Sequence, residues 1–297
     1  MIEQIPAKHI VTKTRTSDWF GMDYNMNIYH GCCHGCIYCD SRSSCYQIRD
    51  FDRVRAKENA LQIIRDDLRR KVKKGVVGTG AMSDPYNPFE AELYLTRHAL
   101  ELIDAFGFGI GIATKSTLME RDVDVLESIR EHSPVLLKVT VTTPYDQLAK
   151  KLEPGAPPSS ARMELIARLR RHKLFTGILL MPVLPFIEDE EEAVIKLVTM
   201  AGEAGASFIY PAFGMTLRDG QREWYLDHLE ELFPGQGLKL QYLKRYGNSY
   251  ECASPKAKKL WDAFTAECEK RHILYQMKDI IPAYKRGYTY TQLSLFD

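Results

Sequence analysis

The stretch Gly31-Cys-Cys-His-Gly-Cys-Ile-Tyr-Cys-Asp-Ser-Arg42 holds four of the chain's seven cysteines: Cys32, Cys33, Cys36 and Cys39. An odd total, bunched in this way, does not read as a disulfide framework. Reduced thiols crowded on one loop read as metal ligands or catalytic groups. A structural zinc site wants four donors, commonly as two separated pairs. There is no second CxxC, although His30 or His34 would complete a tetrahedron, so zinc stays open. The spacing Cys32-x3-Cys36-x2-Cys39 suits three irons of a four-iron cube, whose fourth iron is left for a small molecule. On that reading Cys33 faces away. Gly31 and Gly35 would let the backbone wrap closely around the cube. Cys252 and Cys268 are expected to be ordinary small residues, Cys268 on a helix.

Outward from this stretch, short β-rich runs alternate with amphipathic helical runs. Strands are expected at 27–31, where the chain enters the cysteine loop, and at 76–79, 109–113, 135–141, 176–181 and 208–210. Helices are expected at 56–74, 96–106, 122–132, 159–172 and 189–204, with Asp122 capping the third and Gly107 stopping the second. Six strand–helix units imply a parallel α/β sheet with right-handed crossovers. Six are too few for a closed eight-stranded barrel, so the expected fold is a partial (β/α)6 TIM-type barrel with an open side. Residues 1–25 read as an N-terminal arm and 26–215 as the barrel. Residues 216–290 read as a mostly helical C-terminal appendage, and 291–297 as a tail. Chemistry in such sheets collects at the carboxyl ends of the strands. The cysteine loop, Ser83-Asp84, Lys115-Ser116 and Thr142-Thr143 all fall there.

Composition sets the outer limits. With 297 residues, 45% apolar and 27% charged, the chain can bury a full core and is not disordered. A net charge of +1 excludes a generally polycationic binder, though not a local basic surface. No apolar run reaches the ~18 residues of a membrane span. The first residues lack the layout of a signal peptide, which points to the cytoplasm.

The cysteine loop resembles that of the radical S-adenosylmethionine (SAM) superfamily, whose motif is CxxxCxΦC. Gly78-Thr-Gly-Ala-Met-Ser-Asp-Pro-Tyr86, Ala113-Thr-Lys-Ser116, Arg121-Asp122, Lys151-Leu-Glu-Pro-Gly-Ala-Pro-Pro158 and Met181-Pro-Val-Leu-Pro185 resemble its branch related to spore photoproduct lyase. The resemblance implies a [4Fe–4S] cluster on Cys32, Cys36 and Cys39, with SAM on the unique iron. One electron, supplied by a flavodoxin or ferredoxin, would cleave SAM to methionine and a 5′-deoxyadenosyl radical that abstracts hydrogen from substrate. Tyr38 would pack the adenine. Ser83 and Asp84 would serve SAM, with Asp84 on the ammonium. Lys115 would pair the carboxylate, and Thr140 or Thr142 would reach the ribose. Arg121, which can pair with Asp124 on the surface, is left out of the site.

One departure from that branch matters. Spore photoproduct lyase has a hydrogen-donating cysteine two residues before its Ser-Asp pair, and Ala81 stands here. Cys33, Cys45 and Cys252 are possible substitute donors, as are tyrosines such as Tyr46 and Tyr86. Basic clusters at 69–74, 168–173, 244–245 and 256–259 are readable as solvated faces or, among the tyrosines of the last two, as a nucleic-acid surface. The tail residues Gln292, Leu293, Ser294, Leu295 and Phe296 resemble the pentapeptide that docks bacterial repair proteins on the DNA sliding clamp. The expected activity is hydrogen abstraction from DNA, at a damaged or modified base. The alternatives are a radical SAM enzyme acting on RNA, a peptide or a metabolite, and a non-catalytic metal-binding protein.

Overall fold

Six parallel strands stand side by side in chain order. They are β1 (Tyr24–Met26), β2 (Val76–Thr79), β3 (Gly109–Thr114), β4 (Val135–Thr140), β5 (Thr176–Leu180) and β6 (Ile209–Pro211). The computed structural model that shows them describes residues 2–288, so the tail residues Gln292 to Phe296 lie outside the described residues. A further strand, Val11–Lys13, runs antiparallel to β1 and closes that edge of the sheet. The two edges do not pair with each other, so the arc stays open. Helices α1 (Ala60–Arg69), α2 (Leu95–Ala105), α3 (Val123–His132), α4 (Ser159–Arg171) and α5 (Glu191–Glu203) follow the first five strands in turn. This is the expected partial α/β barrel.

The strands are apolar on both faces because both faces are covered. Ile110, Ile112, Leu137, Val139, Ile178 and Leu180 pack under the helices. Leu136 and Leu179 point the other way, into an interior filled by Phe20 and Met22 of the N-terminal arm and by Phe208. Helix α9 (Met277–Lys285) adds Ile280 and Tyr284 to that plug, and Tyr284 donates to the Phe20 carbonyl at 2.7 Å.

Three expectations need correction. The strand expected at 27–31 is only Tyr29–His30, which is not a barrel strand; the barrel strand lies just before it. Tyr24–Met26 enters the barrel beside β2, while Tyr29–His30 pairs with Arg55–Lys57 in a small sheet that also holds Glu3–Ile5. The helix at 56–74 is only Ala60–Arg69, because residues 55–57 are spent on that small sheet. Asp122 precedes α3 but does not cap it with its side chain. Its carboxylate is taken by Arg121 and Arg97 instead, and Arg97, not Arg121, pairs with Asp124.

The appendage splits into two functions. Helix α8 (Ala257–Lys270) packs on α5 and extends the outer layer. A hairpin of Gly214–Thr216 and Glu251–Ala253, with α6 (Gln221–Leu232) and α7 (Leu238–Tyr246), packs over the cysteine loop instead. Among the described residues no helix is long and apolar enough to cross a membrane.

Candidate active site

The cysteine loop is held from three sides. Cys32 N–H donates to the Phe51 carbonyl at 2.8 Å, and Ile37 N–H donates to Leu152 at 3.0 Å. Gly155 N–H donates to His34 at 2.8 Å. From the appendage, the Gln221 amide donates to the Tyr38 carbonyl at 2.9 Å. Arg42 stacks its guanidinium 4.0 Å over the Trp224 ring. Gly31 has φ 81°, and a Cβ there would lie 2.6 Å from the Phe51 and Arg53 carbonyl oxygens. That glycine is therefore required by the neighbouring backbone as well as by φ, a different reason from wrapping a cube.

Cys32, Cys36 and Cys39 line one cavity of about 150 Å³ together with His34, Ser41, Ala81, Ser83, Asp84, Lys115 and Thr140. Cys33 does not line it and packs against the barrel core. Among the described residues no three His, Cys, Asp or Glu donors converge tightly enough for a single metal ion. Three thiols spread around a shared void fit a polynuclear cluster rather than a mononuclear zinc site, where every sulfur must reach one point at ~2.3 Å. Burial pushes the Cys32 thiol up to about 12 and raises Cys36 and Cys39 as well. Such buried thiols become thiolates only beside concentrated positive charge, which a metal supplies.

Of the residues expected to serve SAM, Ser83, Asp84, Lys115 and Thr140 meet at this cavity. Thr142 is buried but does not line it. Asp84 is braced by its own chain while it lines the cavity. One oxygen accepts from Tyr86 N–H at 2.9 Å and the Thr114 hydroxyl at 2.6 Å, and the other from Lys115 N–H at 2.8 Å. It fixes the Ser83-Asp84 turn against the end of β3. Tyr38 is buried behind the loop and donates its hydroxyl to Glu153.

Glu153 is a residue of this site that the sequence did not single out. It is 1% exposed and sits in the middle of a buried network. Arg162, fully buried on α4, donates to it at 2.5 Å and to the Thr140 carbonyl at 2.7 Å. The Lys115 ammonium lies 3.8 Å away. Burial opposes ionisation of Glu153, but Arg162 and Lys115 overcome it and hold the carboxyl below its usual range. Burial likewise opposes the Lys115 charge, and Cys36 and Glu153 more than offset it. The network thus ties the cavity's one cation to the tyrosine of the loop and to the end of β4. Its only sequence signal was position within Lys151–Pro158; Arg162 gave none.

Glu188 is a second missed carboxylate, buried beyond the end of β5. One oxygen accepts from Leu184 N–H at 3.0 Å, and the Thr142 hydroxyl interacts with the carboxyl. Burial pushes this carboxyl up to about 8. A folded pKa above the unfolded one stabilises fully below the unfolded value, and that stability is lost as pH rises through the folded value. Glu188→Gln keeps the acceptor and cannot ionise. It is expected to match the wild type near pH 4.5 and to be more stable at pH 8, by ~1 kcal/mol for each pH unit between. Thermal unfolding at both pH values checks this, and equal midpoints at pH 8 would refute it.

A larger chamber of about 520 Å³ adjoins the cavity and shares Cys39, Ser41 and Ala81 with it. Its walls are Met181, Pro182, Phe213 and Met215, with Asp40, Tyr46, Thr216 and Glu251 as polar groups. Tyr46 donates to one Asp40 oxygen at 2.8 Å, and Thr216 to the other at 3.2 Å. Of the hydrogen-donor candidates, Tyr46 and Cys252 line this chamber. Cys45 is exposed at its rim, 3.3 Å from an Arg218 nitrogen. Tyr86 is buried and lines a separate cleft.

The Radical SAM superfamily model matches residues 26–198. An uncharacterized protein of Mycobacterium tuberculosis is 29% identical over 251 residues, 82% of this chain and 74% of that protein. One of Methanocaldococcus jannaschii is 30% identical over 193 residues, 64% of this chain and 70% of that protein. Among solved structures, a spore photoproduct lyase variant superposes with a TM-score of 0.66 at 14% identity, covering 90% of this chain and 78% of that one. The radical SAM methyltransferase TsrM of Kitasatospora setae gives 0.56 at 13% identity, covering 91% and 60%. The family match spans more than half the chain, starts in β1 and runs through the cysteine loop into α5. The chain belongs to the radical SAM superfamily, whose cofactors are a [4Fe–4S] cluster and SAM.

Proposed function

We propose that this chain abstracts a hydrogen atom from a nucleic-acid base, a damaged or modified base of DNA, held in the 520 Å³ chamber. The observation that supports this most is adjacency. The chamber opens onto the SAM cavity at Ala81, Cys39 and Ser41, so a substrate there lies against the cofactor. When bound, the cluster and SAM supply the 5′-deoxyadenosyl radical. The chain's own residues supply position and exclusion of water. Glu153 and Arg162 hold Lys115 and Tyr38 in place, and Met181, Pro182 and Phe213 keep the chamber apolar.

A base reaches such a chamber only after extrusion from the duplex. Arg218 and Tyr250 at the rim are joined at 2.8 Å and offer a cation and an exposed ring to the flanking strand. Some matched spore photoproduct lyase structures hold a dinucleoside spore photoproduct, which favours a base as the occupant here. Ala81 donates no hydrogen atom, so the route of hydrogen return is proposed to differ, with Tyr46 or Cys252, which both line the chamber, as the donor. The tail from Gln292 to Phe296 is proposed to bring the enzyme to DNA by docking on the sliding clamp. A flavodoxin or ferredoxin is the proposed electron source.

The test is anaerobic. The reconstituted protein is reduced with dithionite, given SAM, and assayed for 5′-deoxyadenosine with and without ultraviolet-irradiated, deuterium-labelled DNA. Irradiated DNA is expected to change the yield and to pass deuterium to the product. Turnover that ignores every DNA would keep the radical chemistry and overturn the nucleic-acid substrate.

A further inference from the structure

Of the four basic clusters in the sequence, those at 168–173 and 256–259 hold carboxylate partners in the structure. Arg168 pairs with Glu120 and Glu164, Lys256 with Glu190 and Lys259 with Glu191. The cluster at 69–74 behaves differently. Helix α1 ends at Arg69, so Arg70 to Lys74 form a turn leading into β2 and not a solvated helix face. The turn meets the N-terminal arm across the start of β1, where Lys13 is in register with Tyr24.

Together these segments line a cleft of about 580 Å³. Six cations face it: Lys13, Arg15, Arg70, Lys71, Lys73 and Lys74. The single carboxylate in the lining, Asp23, is occupied by Val76 N–H at 2.9 Å. Among the described residues none of the six cations has a carboxylate partner. The backing is rigid, because Tyr24 donates to the Lys73 carbonyl at 2.7 Å and the Lys74 ammonium lies 4.6 Å from the Phe108 ring centre.

Six cations with a single carboxylate among them leave a net positive charge in one concavity, and they repel each other unless a further anion lies there. The chain as a whole carries only +1, so this is a local concentration of charge and not a general excess. One phosphate group would use two or three of the six. A row of phosphates would use all of them, and the Thr16 and Ser17 hydroxyls lining the cleft would bond to the same oxygens. A flat lipid surface does not enter a concavity. The cleft lies at the amino ends of β1 and β2, the opposite end of the sheet from the cysteine loop. It therefore belongs neither to the SAM cavity nor to the chamber.

We propose that this cleft is a second nucleic-acid site, which grips the phosphodiester backbone of duplex DNA away from the base being processed. The inference rests on the nucleic-acid reading above for the identity of the polymer. Binding here is sequence-independent and salt-sensitive, because its free energy comes from counterion release.

The experiment measures fluorescence anisotropy of a labelled, undamaged duplex with the reconstituted full chain over a range of salt. Lys71→Glu/Lys73→Glu is compared with Arg171→Glu/Lys173→Glu, which makes the same charge change elsewhere. The cleft variant is expected to bind at least ~10-fold more weakly and to lower the salt slope by about 2, while the control leaves both unchanged. Equal weakening by both variants, or none by either, overturns the proposal. So does absence of binding by the wild type at low salt, or preference for phosphatidylserine vesicles over the duplex.

Amine acetylation of the wild type, with and without the duplex, gives the same answer without any substitution. Lys71 and Lys73 are expected to be protected, and unprotected lysines overturn the site. The two proposals fail separately. DNA-dependent 5′-deoxyadenosine formation with an unprotected cleft sinks only this one. A protected cleft with DNA-indifferent turnover sinks only the base-substrate reading.

Discussion

Cys36→Ala is expected to abolish the brown cluster and all SAM cleavage. Cys36 is 7% exposed and lines the same cavity as Lys115. Removing one of three ligands leaves two, which cannot hold a four-iron cube open at one corner. The barrel itself should survive, because the loop is fixed by backbone bonds at Cys32, Ile37 and Gly155 that the substitution leaves alone. Iron and sulfide analysis after anaerobic reconstitution, with 5′-deoxyadenosine by chromatography, checks both halves. A variant that keeps iron and cleaves SAM would overturn the ligand assignment.

Glu153→Ala carries the second largest expected effect, and it acts through stability as well as binding. The substitution strands the Arg162 guanidinium, fully buried, without its charge partner. Breaking a buried ion pair from one side costs about 3–5 kcal/mol, whereas replacing both partners with apolar groups is close to neutral. The thermal midpoint is expected to fall on the order of 10 °C. Glu153→Leu/Arg162→Met should recover most of that loss. It should not recover SAM binding, because Lys115 and Tyr38 lose the carboxylate that holds them. Thermal unfolding and SAM titration of the single and double variants separate the two effects. A single variant as stable as the wild type, or a double variant with normal SAM affinity, would refute the role given to Glu153.

These two predictions differ in how their residues were found. Cys36 was legible because a ligand set on one short loop is a local pattern, fixed by spacing alone. Ser83, Asp84 and Lys115 were legible for a related reason: they follow strands whose apolar runs are local, and a parallel sheet brings strand ends together. Glu153 was not legible, because a carboxylate between a lysine-rich helix and a proline reads as surface. Only the return of α4 under the loop puts Arg162 beside it and makes its burial affordable.

The cleft at 69–74 failed the same way. Its basic residues continue a helical pattern in sequence, but α1 ends at Arg69 and the chain turns into β2 from there, while the pairing of 55–57 with Glu3–Ile5 and Tyr29–His30 delays the start of the helix. The strand at 27–31 was misplaced for a similar reason. Local β-preference shows that a strand exists, but which neighbour it pairs with is settled by partners far along the chain.

The sequence by itself determined the cysteine loop, the family and the alternating α/β plan, since each is written in short-range spacing and hydrophobic period. Tertiary structure alone decided that Asp84 is braced by its own chain and that Glu153 and Arg162 stand behind Lys115. It also decided that the appendage hairpin completes a chamber beside the cavity and that six cations share one cleft. Those outcomes depend on desolvation and charge pairing between residues distant in sequence, and such energies do not exist until the chain has folded.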